Sequence, residues 1–321
     1  MADSTGGLAL LFSGQGCQFV GMGLELCRAY AEARAVYQRA DDLLGFSLSR
    51  LCFEGPEEVL NNTANTQPAI YVSTWALWQV LWPRAQGAKQ RVAFAAGHSL
   101  GEYTALAAAG ALTFEDGLRL VRLRGEAMRD AGAQAPGGMA AIIGLEDAAV
   151  AKVVAEAQCG GRGVWVANYN SPGQVVIAGE REALARALEL AKDRGAKRAV
   201  PLAVSVACHT PLMQGAAERL AAQLHETAFR RPWVPVVSNV TAEPLLEPQE
   251  IRQALLRQLT SPVRWAEAVR HIVGGGARTM MEVGPRSVLG GLVKRISPEA
   301  TVQAISDAAS LEAVDWEALK R

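Results

Sequence analysis

The sequence predicts an α/β fold in which a small ferredoxin-like unit is inserted into a larger α/β domain. Short apolar segments typical of buried strands alternate with helical segments along most of the chain. Between residues 139 and 206 the predicted order is β-α-β-β-α-β, which is the order of a ferredoxin-like unit. A Gly-rich break precedes this stretch, so we expect a larger subdomain of residues 1–131 and 205–321 and a smaller one of residues 132–204.

The larger subdomain begins with an apolar strand that leads into a Gly-rich loop. Gln67-Pro68 predicts the opening of an apolar helix, and Thr113 with Asp116 gives a capping-box-like start to a long helix ending at about Ala131. The strands predicted here are residues 8–12, 91–96, 234–240, 279–283 and 302–305, and the helices include residues 69–82 and a helix from Glu102.

The smaller subdomain has its own predicted elements. Its strands are residues 139–143, 164–167, 175–178 and 198–206, and its helices are residues 146–157 and 181–194. The turn at residues 170–173 (NSPG) joins the second and third strands as a hairpin.

Composition excludes several classes of protein. The 321 residues carry 32 basic and 32 acidic side chains, which gives no electrostatic argument for nucleic-acid or membrane binding. The five cysteines, Cys159 among them, show no C-x-x-C spacing and suggest a reducing compartment. The apolar run at residues 8–12 is too short for a signal peptide or a membrane span. We therefore expect a cytoplasmic, monomeric protein.

The stretch from Gly97 to Gly101 (GHSLG) has the G-x-S-x-G pattern of a nucleophile elbow. A predicted strand precedes it and a predicted helix follows it, which is the context that this motif requires. The hydroxyl of Ser99 would stand at a helix N-terminus, where unpaired N–H groups favour negative charge. An ordinary Gly-rich turn is the alternative. The context favours Ser99 as a nucleophile.

A serine nucleophile needs a base, and the chain offers four histidines. His225 and His271 lie in amphipathic helices, and His98 adjoins Ser99, where a contact with substrate is the more fitting role. His209 follows the predicted strand 198–206, and open α/β sheets place ligands at the carboxyl ends of strands. His209 is therefore the expected base.

No aspartate follows a clear strand, so a Ser–His dyad is predicted in which a carbonyl oxygen orients the histidine. The oxyanion needs two N–H donors, and one of them is expected from Leu100, directly after the nucleophile. The second donor could come from the loop at residues 13–18 (SGQGCQ). A dinucleotide loop is the rival interpretation of that segment, but the third glycine of G-x-G-x-x-G falls at Phe19.

Arg124 lies on an apolar helical stripe with Leu120, Val121, Ala127 and Met128. Burying a guanidinium is costly unless an anion pairs with it. Two interpretations stay open. The side chain either reaches solvent or an internal carboxylate, or it clamps the carboxylate of a substrate.

Together these stretches resemble the malonyl-CoA:acyl-carrier-protein transacylase family of fatty-acid synthesis, from residue 8 to about residue 305. The motifs appear in family order: GQGCQ at 14–18, TQPA at 66–69, GHSLGE at 97–102, LRGEAM at 123–128, NSPGQVVIAG at 170–179, SVACHTPLM at 205–213 (opening with Ser205), RQLTSPVRW at 257–265 and EVGP at 282–285.

The resemblance implies a role for particular residues of this chain. Ser99 would carry the acyl group with His209 as its base, and Gln15 would supply the oxyanion N–H beside that of Leu100. Arg124 would bind the malonyl carboxylate, and the main-chain carbonyl of Gln258 would orient the histidine. His98, Met128 and Asn170 would complete the substrate site, and the larger subdomain would be α/β-hydrolase-like.

The expected reaction is transfer of a malonyl group from malonyl-CoA to the phosphopantetheine thiol of an acyl carrier protein, with no metal or redox cofactor. Alternatives are the same chemistry in polyketide synthesis or malonate decarboxylation, a serine esterase or thioesterase, and a non-catalytic carrier-binding subunit. Cys208 departs from the family pattern, where serine or phenylalanine usually precedes the histidine, which puts exclusion of α-methylated substrates in doubt. Two basic pairs, Lys197-Arg198 and Lys294-Arg295, are the expected docking patch for an acidic carrier near the mouth of the site.

Overall fold

The computed structural model describes residues 7–158, 163–204 and 206–316. Cys159, Ser205 and both ends of the predicted larger subdomain lie outside the described residues. Cys17, Cys27, Cys52 and Cys208 are buried free thiols.

The described residues form ten strands, two 3₁₀ turns (Gln86–Arg91 and Pro211–Met213) and fourteen α-helices. The strands are β1 Gly7–Phe12, β2 Val92–Gly97, β3 Gly137–Ile143, β4 Val164–Ser171, β5 Gln174–Glu180, β6 Arg198–Pro201, β7 Val236–Val237, β8 Pro244–Leu245, β9 Ala277–Val283 and β10 Thr301–Ile305. The helices are α1 Leu24–Ala29, α2 Ala31–Leu44, α3 Leu48–Glu54, α4 Glu57–Leu60, α5 Thr63–Leu81, α6 Gly101–Ala108, α7 Phe114–Gln134, α8 Asp147–Ala157, α9 Arg181–Asp193, α10 Gln214–Glu226, α11 Pro248–Gln258, α12 Trp265–Gly274, α13 Leu289–Ile296 and α14 Ala308–Glu312.

The first sheet is parallel except at one edge and has the strand order β10-β9-β1-β2-β7-β8. Strand β1 lies at its centre, where Leu10 is paired with Met281 of β9 on one side and with Ala95 of β2 on the other. A central parallel strand is covered on both faces, which explains why β1 is a continuous apolar run. The chain therefore has the mixed α/β fold that the sequence predicts.

The second sheet is antiparallel and has the strand order β4-β5-β3-β6. Helices α8 and α9 pack on it, and together they bury an apolar cluster that includes Ile142, Val153, Ile177 and Ala187. The element order β3-α8-β4-β5-α9-β6 is the predicted β-α-β-β-α-β order. The hairpin between β4 and β5 turns at Pro172 and Gly173 alone, so both strands are longer than predicted.

Helix α5 begins at Thr63, six residues before the predicted start at Ala69. The side chain of Asn62 caps it by accepting the N–H of Ala64 at 3.1 Å. Pro68 lies inside the helix and lacks the N–H that would bond the carbonyl of Ala64. Arg122 supplies the missing donor, since its Nη1 lies 2.9 Å from that oxygen. A tertiary contact thus accommodates a proline that, by its local sequence, predicts a helix start.

The strand predicted at residues 198–206 ends at Pro201. The N–H of Leu202 still bonds Met139, but the N–H of Val204 turns back to the carbonyl of Leu202 at 2.8 Å, which takes the chain out of the ladder. The expectation that His209 directly follows a strand ending at residue 206 was therefore wrong, because β6 ends at Pro201. Strand β6 belongs to the antiparallel sheet, and His209 lies in the segment that leaves it.

The strand predicted at residues 234–240 is reduced to Val236–Val237. The side chain of Ser238 accepts the N–H groups of Val240 and Thr241, which bends the chain immediately after β7. The antiparallel edge strand β8, which the sequence did not reveal, follows this bend. None of the helices in the described ranges combines the length and apolar composition needed to cross a membrane.

Candidate active site

Ser99 occupies a sharp turn between β2 and α6. Its φ is 52°, in the left-handed region that non-glycine residues rarely adopt. Gly97 and Gly101 approach each other so closely that a Cβ on Gly97 would lie 2.0 Å from the carbonyl of Gly101. A Cβ on Gly101 would lie 2.2 Å from the carbonyl oxygen of Phe12 in β1. The two glycines are therefore required by close packing, and the turn presents the Ser99 side chain to the cleft.

His209 lies against the hydroxyl of Ser99. The Nε2 atom is 2.7 Å from Ser99 Oγ, and Nδ1 is 2.9 Å from the carbonyl oxygen of Gln258 at the end of α11. A carbonyl oxygen can only accept, so Nδ1 carries the proton and Nε2 is free to accept one from Ser99. This is the tautomer that a general base needs. The orienting group is a carbonyl oxygen rather than an aspartate.

Burial and, after it, the positive charge of Arg124 lower the pKa of His209 to about 3. Both causes disfavour the imidazolium form. The imidazole is therefore neutral across the physiological pH range and available to accept the Ser99 proton.

The loop after β1 brings Gln15 to the same cleft as Ser99. Within the described chain, the backbone N–H groups of Gln15 and Leu100 have no hydrogen-bond acceptor. The side chain of Gln15 points away from this position, since its Oε1 accepts a hydrogen bond from Thr63 Oγ1 at 3.3 Å. Unsatisfied N–H donors on the residue after Ser99 and on a residue that lines the same cleft fit the requirement of a tetrahedral oxyanion, and their role stays a prediction.

Arg124 is almost fully buried, at 1% exposure. Its Nη1 donates to Gln67 Oε1 at 2.7 Å, and its Nη2 donates to Ser99 Oγ at 3.1 Å and to Gln258 Oε1 at 3.0 Å. Its Nε has no partner. Among the described residues, no carboxylate lies within ion-pair distance of it, so neither solvent nor an internal carboxylate explains its position.

A buried network that the sequence analysis missed holds the Ser99 turn from both sides. Asn239 Oδ1 accepts the Ser99 N–H at 2.6 Å, and Asn239 Nδ2 donates to the Gly97 carbonyl at 2.7 Å. On the other side, Gln258 Nε2 donates to the Ser99 carbonyl at 3.0 Å. Glu102 connects Asn239 and Gln258, because its carboxylate accepts hydrogen bonds from the Asn239 N–H at 3.2 Å and from Gln258 Nε2 at 2.5 Å.

Glu102 is fully buried, and burial raises the pKa of its carboxyl to about 7. Little in the sequence signals this network. An acidic residue in the first turn of a helix is ordinarily explained by the helix dipole, and Asn239 fell inside a predicted strand. A charged residue in an otherwise apolar, alanine-rich helix was the one available clue.

The cleft has a volume of about 470 Å³, and its walls include the loops after β1 and β2 and strands β3, β4 and β5 of the antiparallel sheet. Met128 of α7 lines it, and Leu289 and Leu292 of α13 also line it. His98 points across the cleft, with Nε2 2.9 Å from Asn170 Oδ1 in β4. The structure thus brings His98, Met128 and Asn170 to the cavity that contains Ser99. Cys208 also lines it.

The two basic pairs lie in different places. Lys294 and Arg295 are exposed on α13, and Arg295 contacts Gln174, which lines the cleft. Lys197 and Arg198 are not among the cleft-lining residues, but Arg198 is paired with Ile143 of β3, whose partner on the other side is the cleft-lining Gln174. A docking role for either pair stays a prediction.

Comparison with known proteins identifies the family. Residues 9–314 match the acyl transferase domain family. The chain is 47% identical over 305 residues to the malonyl CoA-acyl carrier protein transacylase of Salmonella typhimurium, and the match covers 95% of this chain and 97% of that protein. The chain belongs to the malonyl-CoA:acyl-carrier-protein transacylase family.

Solved structures of this transacylase family have the same fold. The acyl carrier protein S-malonyltransferase of Vibrio cholerae superposes with a TM-score of 0.91 at 46% identity, covering 96% of this chain and 99% of that one. A malonyl-transacylase solved in complex with its type II polyketide acyl carrier protein superposes with a TM-score of 0.91 at 43% identity, covering 95% of this chain and 98% of that one. The resemblance expected from the motifs is confirmed.

Proposed function

We propose that this chain transfers a malonyl group from malonyl-CoA to the phosphopantetheine thiol of an acyl carrier protein, supplying fatty-acid synthesis through an acyl-enzyme on Ser99. The observation that carries the proposal is the meeting of a buried arginine, without a carboxylate partner among the described residues, with the Ser99–His209 pair. A dicarboxylate thioester supplies both the charge that Arg124 lacks and the carbonyl that Ser99 attacks.

In the first half-reaction, the Ser99 hydroxyl gives its proton to His209 Nε2 as its oxygen bonds to the thioester carbon. The N–H groups of Gln15 and Leu100 hold the resulting oxyanion. Collapse of this intermediate breaks the carbon–sulfur bond, and the departing CoA sulfur takes the proton from His209.

In the second half-reaction, the carrier thiol gives its proton to His209 and its sulfur attacks the acyl-serine. The Ser99 oxygen leaves and regains a proton from the same imidazolium. The chemistry needs only acid–base and nucleophilic groups of this chain, so we propose no metal or redox cofactor.

Arg124 would bind the free carboxylate of the malonyl group. Its guanidinium already lies 3.1 Å from Ser99 Oγ, so an acyl chain on Ser99 ends within its reach. The carboxylate would also neutralise the charge that disfavours imidazolium on His209. Binding of the correct substrate would thereby make the base stronger at the moment it is needed.

The same transfer in polyketide assembly is the second candidate, since one solved relative is a malonyl-transacylase bound to a type II polyketide carrier protein. The carrier that accepts the malonyl group separates the two pathways. A thioesterase, with water as acceptor, is disfavoured by Arg124 and by a base oriented through a carbonyl rather than a carboxylate.

We propose that the parallel sheet belongs to an α/β-hydrolase-like subdomain of residues 1–131 and 205–321, with a ferredoxin-like subdomain at 132–204. A separate apolar core in the antiparallel sheet supports this division. Helix α7 ends at Gln134, so the connection begins a few residues later than position 131. We also propose a monomer, and the buried free thiols support a cytoplasmic location.

Intact mass spectrometry after mixing with malonyl-CoA tests the reaction. We expect one malonyl adduct that carrier protein removes and that persists in its absence. Ser99→Ala should give no adduct, and His209→Ala should slow formation and removal together. An adduct on Ser99→Ala would overturn the nucleophile assignment, and rapid loss of the adduct to water alone would indicate a thioesterase.

A further inference from the structure

A second cavity of about 420 Å³ adjoins the cleft that contains Ser99. The two share four lining residues, Gln15, Asn61, Ala203 and Val204, so one opens beside the other. The second cavity is not needed by any step of the acyl transfer. Its two charged lining residues are Arg129 of α7 and Arg181 of α9, and within the described ranges no acidic residue lines it.

The charged side chains around Arg129 have a net positive charge. Asp130 accepts from Arg129 and from Arg219, with each contact at 2.7 Å, and Glu126 pairs with Arg122 at 2.7 Å and lies 3.7 Å from Arg219. Arg122, Arg129 and Arg219 outnumber Glu126 and Asp130 by one positive charge, and Arg181 faces Arg129 across a lining in which the described residues include no carboxylate. In a chain whose formal net charge is zero, this is a local concentration suited to a phosphorylated ligand.

We propose that this cavity, the Arg129–Arg181 pocket, binds the phosphates at the nucleotide end of CoA during the first half-reaction. The inference rests on the proposed function, because the thioester must reach Ser99 while the rest of the substrate leaves the cleft. If the pantetheine arm of CoA leaves the Ser99 cleft past Ala203 and Val204, it reaches the Arg129–Arg181 pocket, because both residues line the two cavities. Guanidinium groups form paired hydrogen bonds with phosphate oxygens, so two of them suit a 3′-phosphate and a diphosphate.

Carrier protein has no nucleotide, and its phosphopantetheine arm carries one phosphodiester where CoA carries a diphosphate and a 3′-phosphate, so the pocket would favour the acyl donor. The two half-reactions then depend on different charged surfaces of the molecule. This separation allows the proposal to be tested apart from the chemistry at Ser99.

The test compares malonyl-CoA with malonyl-pantetheine, which keeps the thioester and lacks every phosphate. The variant is Arg129→Gln/Arg181→Gln, and the control is Arg119→Gln/Arg186→Gln, which makes the same charge change at exposed positions of the same two helices outside the pocket. We expect the KM for malonyl-CoA to rise about tenfold or more in the first variant, since charge-assisted phosphate contacts are lost. The KM for malonyl-pantetheine should not change, and the KM for carrier protein should rise much less than the KM for malonyl-CoA, because the carrier's arm has a single phosphodiester.

Inhibition by adenosine 3′,5′-bisphosphate gives a direct binding readout without turnover. It should compete with malonyl-CoA in the wild type and in the control, and lose its effect in Arg129→Gln/Arg181→Gln. Equal KM values for the two donors in the wild type would overturn the proposal, as would equal losses with both donors in the variant. Failure of both donors to acylate Ser99 in the wild type would instead overturn the proposed function.

Discussion

Arg124 acts on two groups at once, because its guanidinium contacts Ser99 and its charge lowers the pKa of His209. Both effects would change when a carboxylate binds. The residue therefore connects substrate selection to the strength of the base.

We predict that Arg124→Gln changes specificity and pH dependence together. Malonyl transfer should lose about 2–5 kcal/mol of transition-state stabilisation, the typical loss for a buried charge left unpaired, whereas acetyl transfer should lose much less. His209 acts as a base only when neutral, so activity falls as pH drops through its pKa. Without the arginine that pKa rises, and the acid limb of kcat/KM should move to higher pH.

The measurement is kcat/KM for malonyl-CoA and acetyl-CoA between about pH 2.5 and 8, a range that includes the wild-type pKa of about 3, since this ratio reports the pKa of the free enzyme. Arg119→Gln, an exposed arginine of the same helix, is the control. Equal losses for the two substrates with an unmoved acid limb would mean that Arg124 is only structural.

Asn239 is predicted to position the nucleophile without touching substrate. Asn239→Ala leaves the Ser99 N–H and the Gly97 carbonyl without their partners, at about 1–3 kcal/mol for each buried group. The turn at Ser99 should then relax from its strained φ. We expect kcat to fall by about tenfold to a hundredfold with KM nearly unchanged.

Labelling of Ser99 by a neutral sulfonyl fluoride separates positioning from substrate binding. The labelling rate should fall with kcat in Asn239→Ala and stay normal in Thr241→Ala, which changes the same loop without contacting the turn. A variant that unfolds more easily but labels at the wild-type rate would show that Asn239 contributes only stability.

At the scale of elements, helices α5 and α7 hold Gln67 and Arg124 against each other, and their packing depends on how Pro68 is accommodated. Arg122 of α7 bonds the Ala64 carbonyl that the proline leaves free, and also bonds Asn65 Oδ1 at 2.9 Å. The half-buried Arg122 is therefore part of the contact between α5 and α7 that holds Arg124 in its buried position.

We predict that Arg122→Gln lowers the free energy of unfolding by about 1.5–3 kcal/mol, the usual value of hydrogen bonds to a charged group. The loss should be smaller in a Pro68→Ala background, because an alanine at this position restores the N–H that bonds the Ala64 carbonyl. Chemical denaturation of the four proteins of this double-mutant cycle measures the coupling. If the two substitutions show no coupling, Arg122 does not replace the missing N–H of Pro68 as the donor to the Ala64 carbonyl.

The elements that repeat a regular pattern were predictable from sequence, and those set by contacts at a distance were not. Strand β1, the cap at Thr113 and the turn at Ser99 follow from apolar periodicity and turn chemistry. In α5 the cap at Asn62 is local, but tolerance of Pro68 inside the helix depends on Arg122. The short β6 ends at a turn between Leu202 and Val204, a stretch without glycine, proline, asparagine or aspartate to signal it. His209 was named for the wrong local reason.

The same division holds within the site. Ser99 and Arg124 carry local signals, a motif and a charge on an apolar stripe. Asn239 and Glu102 carry almost none, because their importance lies in bonds to residues 97–99 and 258 that only the fold brings near.

At the scale of the whole molecule, the cleft depends on how the two sheets are joined. The segment after α11 bonds the edge of the antiparallel sheet, with the Tyr169 N–H on the Val263 carbonyl at 2.9 Å and the Val263 N–H on the Ala167 carbonyl at 2.8 Å. Gln258, whose carbonyl orients His209, lies five residues earlier. The base and the small subdomain are therefore fixed by one short segment.

Charge is also distributed at this scale, since a chain of zero formal net charge presents Lys294 and Arg295 on the helix that lines the cleft. We predict that reversing this pair to glutamate raises the KM for an acidic carrier protein, while acylation of Ser99 by malonyl-CoA stays near normal. Reversal of Lys197 and Arg198 should have a smaller effect, because neither residue lies on an element that lines the cleft. Both defects should shrink as salt rises, because screening weakens attraction in the wild type and repulsion in the variants.

Steady-state kinetics with carrier protein at several ionic strengths measure the KM of each variant and its dependence on salt. Lys294→Glu alone keeps the Arg295 contact with Gln174 and controls for damage to the cleft wall. Carrier kinetics that stay unchanged at low salt in both reversals would show that the carrier docks on another face.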